Sequence, residues 1–296
     1  MTLIFNADHD LCLSNGGKNY IAPQSARLFS EQCSEVMRII YHKDFFHPKS
    51  EITPWGWNKT LKQNLIRQGH PTHLLPSDTE IDAIKKLQHR STALPLLKES
   101  IAAHTIAEIE QYIKIHSKIV LKAPWSGSGR GLRWVSEQLS EHDIQWAQKT
   151  ISTQRCVIAE PRRTIAHNFA LEYYRHNHRL HFVGFSLFTT KNGVYQSNVL
   201  IDDNSIQELI KFPAERKEKL EIWMTNTLPD FYEGAIGVDY YTDINGEIYC
   251  SEVNFRHTMG LVAHEYRHCH PEHDGWLFSI GHNTPDQYKI EITPNK

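Results

Sequence analysis

The chain lacks any apolar run of about 18 residues, so no part of it reads as a membrane-spanning helix. A basic start is missing too: MTLIFNAD reaches an acid at Asp8 after a few apolar side chains, which excludes a secretory signal peptide. Cysteine is sparse and unpatterned. Cys12, Cys33, Cys156, Cys250 and Cys269 are odd in number and scattered, with no CxxC spacing for a redox pair or structural zinc. Nor is there an excess of positive charge, since Lys+Arg 32 stand against Asp+Glu 34 for a formal charge of -2, so a nucleic-acid footprint is not expected. Together these absences predict a cytoplasmic protein with reduced thiols and with neither a membrane nor a nucleic acid as partner.

What is present is an ordinary globular composition. With 40% hydrophobic residues, 15 Gly and 13 Pro the chain is neither disordered nor collagen-like. At roughly 150 residues per domain, 296 residues correspond to one to three domains, enough to bury a core without disulfides. Only histidine is out of proportion, at 19.

Residues 2–7 read as a short strand, 24–37 as a helix after Pro23, and 36–41 as a second strand. Trp57, Leu61 and Leu65 give helical spacing over 57–67, Gly69 ends it, and 73–75 is a short apolar stretch before Pro76. This alternation predicts a small α/β unit with a mostly parallel sheet over residues 1–88. Helical stretches follow at 82–98 and 106–114. Then the texture changes. Strands are predicted at 118–123, at LRWVS, and at 154–160, 168–174, 180–187, 193–199, 235–242 and 247–254, with helices at 143–152 and 214–228. The last two thirds are therefore strand-rich and mixed, an α+β pattern, without internal repeats.

Between two of these strands lies Ser126-Gly127-Ser128-Gly129-Arg130-Gly131. Glycines let backbone amides approach a polyanion without Cβ atoms in the way, and Arg130 adds charge. No Gly-Lys-Ser/Thr follows and the loop enters a strand, which excludes both a Walker A loop and a Rossmann fingerprint. A plain hairpin tip accounts for the same residues. Lys122, four residues earlier on an apolar strand, points either to solvent or into a site.

Further on stands GVDYYTDINGEIYCSEVNFR, where Asn245-Gly246 marks a hairpin turn. Asp239 lies on its first strand; Glu252 and Asn254, two apart, share one face of the second. Two carboxylates and an amide oxygen are hard donors that suit Mg²⁺. Three polar residues on the wet face of an alternating hairpin are the other reading.

Taken together, IVLKAPWSGSGRG, CVIAEPRR, GVDYY and SEVNFR, in that order, resemble the ATP-grasp superfamily over residues 89–262. The thirteen-residue step from Asp239 to Glu252, with Asn254 two further on, resembles the D-alanine:D-alanine ligase type. Arg256 resembles the EvNxR pattern of carboxylase-like members. The resemblance implies an α+β ATP-grasp fold: two α+β subdomains, 89–160 and 161–296, holding ATP between them, preceded by a small α/β pre-ATP-grasp domain over 1–88. It implies that Lys122 and the loop residues Ser126, Gly127, Ser128, Gly129, Arg130 and Gly131 bind the ATP phosphates, that Glu160 marks the adenine hinge, and that Asp239, Glu252 and Asn254 hold two Mg²⁺ ions. Arg90 takes roughly the place of an earlier phosphate-binding Lys, Asn168 stands where a ribose-binding Glu is usual, and Arg256 faces a γ-phosphate or acyl-phosphate; Lys122 and Arg256 are the implied catalytic residues. The implied activity is an ATP-dependent carbon-nitrogen ligase acting on small-molecule carboxylates and amines, amino acids or peptides among them. Arg162, Arg163, His167 and Arg179 are candidates for binding a carboxylate, or simply surface residues.

One motif competes. His264-Glu265-Tyr266-Arg267-His268 matches HExxH, in which two histidines one helical turn apart bind zinc and the glutamate acts as base, with Cys269, His270, His273 and Asp274 following as further ligands. In a chain this rich in histidine, such a match arises by chance with a probability of roughly one in twelve. A zinc metallohydrolase and a non-catalytic ATP-binding protein are thus the alternatives, and these histidines also suit an acceptor pocket.

Overall fold

The computed structural model describes residues 2–16, 20–41, 51–127, 131–284 and 287–295. The N-terminal unit contains β1 (Thr2–Ile4), α1 (His9–Asn15), α2 (Gln24–Gln32), α3 (Val36–Ile40), β2 (Ile52–Pro54), α4 (Lys59–Arg67) and α5 (Asp78–Leu87). Next come β3 (Ile101–Ala103), α6 (Ile106–His116), β4 (Lys118–Lys122), β5 (Leu132–Ser136), α7 (Glu141–Gln154) and β6 (Val157–Pro161). The remainder holds β7 (Ile165–His176), β8 (Arg179–Lys191), β9 (Val194–Leu200), α8 (Asp203–Ile210), α9 (Ala214–Thr227), β10 (Gly234–Asp243), β11 (Ile248–Asn254), α10 (Met259–Cys269), β12 (Trp276–Thr284) and β13 (Gln287–Pro294). β1 and β2 pair in parallel; β3-β6-β4-β5 form a four-stranded sheet, and β11-β10-β7-β8-β9-β12-β13 a seven-stranded antiparallel one. Among the described residues no helix is long and apolar enough to cross a membrane.

Local chemistry sets the boundaries. Ser77 with Glu80 and Ser140 with Asp143 close capping boxes at α5 and α7, and Thr258 caps α10. At the β8–β9 hairpin Asn192 and Gly193 both have positive φ, 53° and 74°, as a type I′ turn requires. In the β10–β11 turn the Asp243 carboxylate accepts from the amides of Asn245 and Glu247, each at 2.9 Å.

Several expectations need correction. Residues 36–40 form a helix rather than a strand: Val36, Met37 and Ile40 are fully buried along one helical face, which overrides their extended-strand preference. The helix predicted over 24–37 stops at Gln32, where a turn intervenes before α3. The stretch 82–98 is helical only to Leu87; Arg90–Leu96, which contains Pro95, is a 3-10 segment, as is Thr72–Leu74. α1, β2, β3, α8 and the β12–β13 hairpin were not anticipated.

Two-residue alternation divides the large sheet. Phe169, Leu171 and Tyr173 of β7, with Ile236, Val238 and Tyr240 of β10, pack beneath Leu220 and Met224 of α9. Their neighbours Asn168, Ala170, Glu172 and Asp239 face a cavity instead. A second core joins Phe5, Val36, Met37, Ile40 and Trp55 of the N-terminal unit to Leu261 and Val262 of α10 and Phe278 of β12. Ile109, Ile119, Leu121, Ala147 and Val157 fill the small sheet's own core.

The two faces predict opposite costs for adjacent substitutions. Phe169→Ala is expected to lose about 3–5 kcal/mol, while Asn168→Ala changes stability by no more than about 0.5 kcal/mol, both read from urea unfolding midpoints.

Candidate active site

The register of the large sheet brings the oxygen donors together. Asp239 pairs directly with Glu252 across β10–β11, and Gly237 pairs with Asn254. The Asn254 amide donates to Asp239 Oδ2 at 3.2 Å. On the next strand, Glu172 stands beside Gly237, only 1% exposed, and accepts from Ser186 Oγ at 3.0 Å and Thr258 Oγ1 at 2.8 Å. Burial, then the nearby Glu252 and Glu172 carboxylates, pushes Asp239 up to about 8, and burial pushes Glu172 up to about 7. Asp239, Glu252 and Asn254 thus offer three hard oxygen donors on adjacent strands where negative charge is undercompensated. This is the donor set and the electrostatic need that a divalent cation fits.

Three cations surround the carboxylates. Lys122 pairs with Glu160 at 2.7 Å and donates to Ser251 Oγ at 3.2 Å. Arg90 binds Glu252 Oε1 at 2.8 Å and Ser126 Oγ at 2.7 Å, and donates to the Ala123 carbonyl. Arg256 forms a two-pronged pair with Asp10, through Nε at 3.1 Å and a terminal nitrogen at 2.8 Å. Among the described residues, Glu160 Oε1 and Arg90 Nε are buried without a hydrogen-bond partner.

The glycine loop reaches the same place. Ala123 N donates to the Gly131 carbonyl at 2.8 Å, closing the loop's base. A Cβ added at Gly127 would lie 2.9 Å from Asp10 Oδ2, so a larger residue there would have to displace the Asp10 side chain. Ser128, Gly129 and Arg130 lie outside the described residues. Lys122, Arg90, Ser126, Gly127, Glu160, Asn168, Asp239, Glu252, Asn254 and Arg256 all line one cavity of about 1010 Å³. Arg162 and Arg163 line it as well, though Arg163 is paired with Glu99 and lies over the Tyr249 ring at 4.0 Å. His167 borders a separate surface pocket, and Arg179 is exposed.

Sequence reasoning missed Asp10 and Glu172. Asp10 sits on a seven-residue helix too short for periodicity to reveal. The signal for Glu172 was a lone acid within the apolar run FALEYY.

Two histidines belong to the interior. His9 and His257 are buried, and burial brings each down to about 4; His257 Nε2 lies 2.7 Å from Tyr41 Oη, and its Nδ1 lies 3.2 Å from the Trp55 carbonyl. In the HExxH stretch, burial works against charge on His264, but its bonds to Asp203 and Glu265 outweigh that and raise it to about 9. His264 is thus an imidazolium held by carboxylates, and His268 is exposed. Among the described residues the one group of three donors gathered closely enough for a metal is His270, Glu272 and His273, beyond the motif.

The two layered units, with a glycine loop on the smaller sheet facing Asp239, Glu252 and Asn254 on the larger, make this the ATP-grasp fold. A biotin carboxylase from Campylobacter jejuni in complex with beta-gamma-ATP matches 97% of this chain and 67% of its own, at 15% identity and TM-score 0.51. A pyruvate carboxylase from Rhizobium etli matches 72% of this chain and 20% of its own, at 18% identity and TM-score 0.51. The N5-carboxyaminoimidazole synthetase of Staphylococcus aureus with ADP matches 87% of this chain and 70% of its own at 16% identity, with a TM-score of 0.46. No family model and no curated protein sequence matches the chain.

Because Asp239 holds its proton more tightly in the folded state, about 8 against 3.8, metal-free protein binds more protons folded than unfolded across that interval. Its stability is expected to fall as pH rises from about 4 through 8, and Asp239→Asn is expected to flatten the decline, both read from thermal melts in chelator.

Proposed function

We propose that this chain is an ATP- and Mg²⁺-dependent ligase that activates a carboxylate as an acyl-phosphate for attack by an amine, releasing ADP and phosphate. The observation that carries the reading is the convergence of Asp239, Glu252 and Asn254 with Lys122, Arg90 and Arg256 on one cavity. Residues 1–88, 89–160 and 161–296 serve as its three working units, with cytoplasmic small molecules as substrates.

In this reading Asp239, Glu252 and Asn254 hold two Mg²⁺ ions, which supply charge neutralisation for the phosphates. Lys122 and Arg90 steady the phosphate oxygens, giving up part of their pairing with Glu160 and Glu252 when nucleotide enters. Ser126 and Gly127, which line the cavity, would contact the same phosphates, with Ser128, Gly129, Arg130 and Gly131 proposed as further phosphate binders, and the segment after Glu160 would receive the adenine. Asn168 stands in place of a ribose-binding acid. Arg256, fixed by Asp10, presents positive charge where a carboxylate oxygen attacks the γ-phosphorus and the bond to ADP breaks. The amine then attacks the acyl carbon, phosphate leaves, and the amine loses its proton.

Mg-ATP is expected to raise the melting temperature of the wild-type protein, and Asp239→Ala or Glu252→Ala to abolish that rise. Lys122→Ala is expected to lower kcat/KM for ATP by roughly 10²–10³-fold while leaving the circular dichroism spectrum unchanged. Stoichiometric zinc with no nucleotide effect on melting would overturn the reading.

A further inference from the structure

The cavity continues past Asp239, Glu252 and Asn254. Its floor is one face of the large sheet, running from β10 and β11 across Ser186 and Phe188 of β8 and Asn198 of β9 to Tyr288 on β13, the opposite edge strand. Over this far end lie Phe5, Phe29, Trp55, Met259, Ile280 and Tyr288. Four of them form a ladder of touching rings: Trp55 to Phe5 at 4.9 Å, Phe5 to Phe29 at 5.2 Å and Phe29 to Tyr288 at 5.2 Å between centroids. Phe5 and Trp55 are buried, while Phe29 and Tyr288 keep half-buried faces turned to the cavity. α2, which carries Phe29, is tied to β13 by the Tyr288 amide donating to Gln32 Oε1 at 2.6 Å. The wall is therefore a built surface, with elements from both ends of the chain held against each other.

Charge at the junction of this end with those three residues is also defined. Asp10 and Glu172 supply two carboxylates, and Arg256 supplies one guanidinium, already engaged by Asp10. Arg256 is already neutralised by Asp10 and so leaves little positive charge there for a phosphate, whereas an ammonium beside Glu172 would favour that group's carboxylate form against the burial that raises it. At about 1010 Å³ the cavity lies at the upper end of the range for ligand pockets, with space for a second molecule beside a nucleotide.

We propose that this second compartment seats the amine substrate, and that the substrate carries an aromatic group which packs on Phe29 and Tyr288 while its ammonium faces Asp10 and Glu172. The proposal rests on the ligase reading for the amine's role in turnover; the binding preference itself does not require ATP. An aromatic ring gains there both burial and the edge-to-face contacts that the ladder already uses. A phosphorylated amine would set its dianion against the same carboxylates.

The test is calorimetric titration of the full chain with phenylethylamine, ethylamine and phosphoethanolamine, each with and without Mg-ATP. Phenylethylamine is expected to bind roughly tenfold or more tightly than ethylamine, the equivalent of burying one ring. Phosphoethanolamine is expected to bind no better than ethylamine. Phe29→Ala and Tyr288→Ala, each at a half-buried position, are expected to cut the phenyl preference by about threefold to tenfold and to leave Mg-ATP affinity unchanged. Equal binding of the three amines, tighter binding of phosphoethanolamine, or a phenyl preference that survives both substitutions would overturn the proposal. The arms separate the two readings: wall-dependent phenylethylamine binding without Mg-ATP binding supports the compartment and removes the ligase, whereas Mg-ATP binding without phenyl preference removes the compartment and spares the ligase.

Discussion

The constraint on which the site depends is electrostatic: β10 and β11 place the half-buried Asp239 opposite Glu252, and the buried Glu172 follows on the next strand. Three carboxylates so placed repel one another; Arg90 pairs with Glu252 directly and Arg256 acts on Asp239 through space, while Lys122 is paired nearby with Glu160. Each of these cations comes from a different part of the fold. Arg90 sits where the N-terminal unit meets the small sheet, Lys122 ends a strand of that sheet, and Arg256 follows β11. Through Arg90, Glu252 ties the N-terminal half of the chain to the large sheet. On the proposed reading, a cation held by Asp239, Glu252 and Asn254 would release Arg90 from Glu252.

Arg256 and Asp10 extend this logic to the start of the chain. Asp10 stands on α1, the glycine loop approaches it at Gly127, and Arg256 grips it with two hydrogen bonds. Removing one partner would leave the other charged and poorly solvated, a costly outcome for a side chain as enclosed as Arg256. The shared core of Phe5, Trp55, Leu261 and Phe278 holds the same elements from behind. The N-terminal unit is thus part of the cavity wall and not a separate appendage.

How much of this was legible in the sequence differs by residue. Asp239, Glu252 and Asn254 were readable because a hairpin signal at Asn245-Gly246 and two-residue alternation fix a common face, and the observed register places Asp239 and Glu252 opposite each other. Lys122 was readable as a charge on an apolar strand, and it lies buried beside Glu160. The strand expected at 36–41 failed because Val36, Met37 and Ile40 answer to a tertiary contact with α10, which no local pattern encodes. Asp10 and the aromatic wall were invisible for a related reason: they join residues about 250 positions apart, and only the folded chain brings them together. The HExxH motif was fully legible and led elsewhere, since His264 is held by Asp203 and Glu265.

The most direct test of the account is a crystal grown with Mn²⁺ and a non-hydrolysable ATP analogue, read by anomalous scattering. The account predicts manganese peaks about 2.0–2.2 Å from carboxylate oxygens of Asp239 and Glu252, with Asn254 adjoining and Arg90 withdrawn from Glu252. Manganese at His270 and His273 with an empty trio, or nucleotide bound away from Lys122, would contradict it.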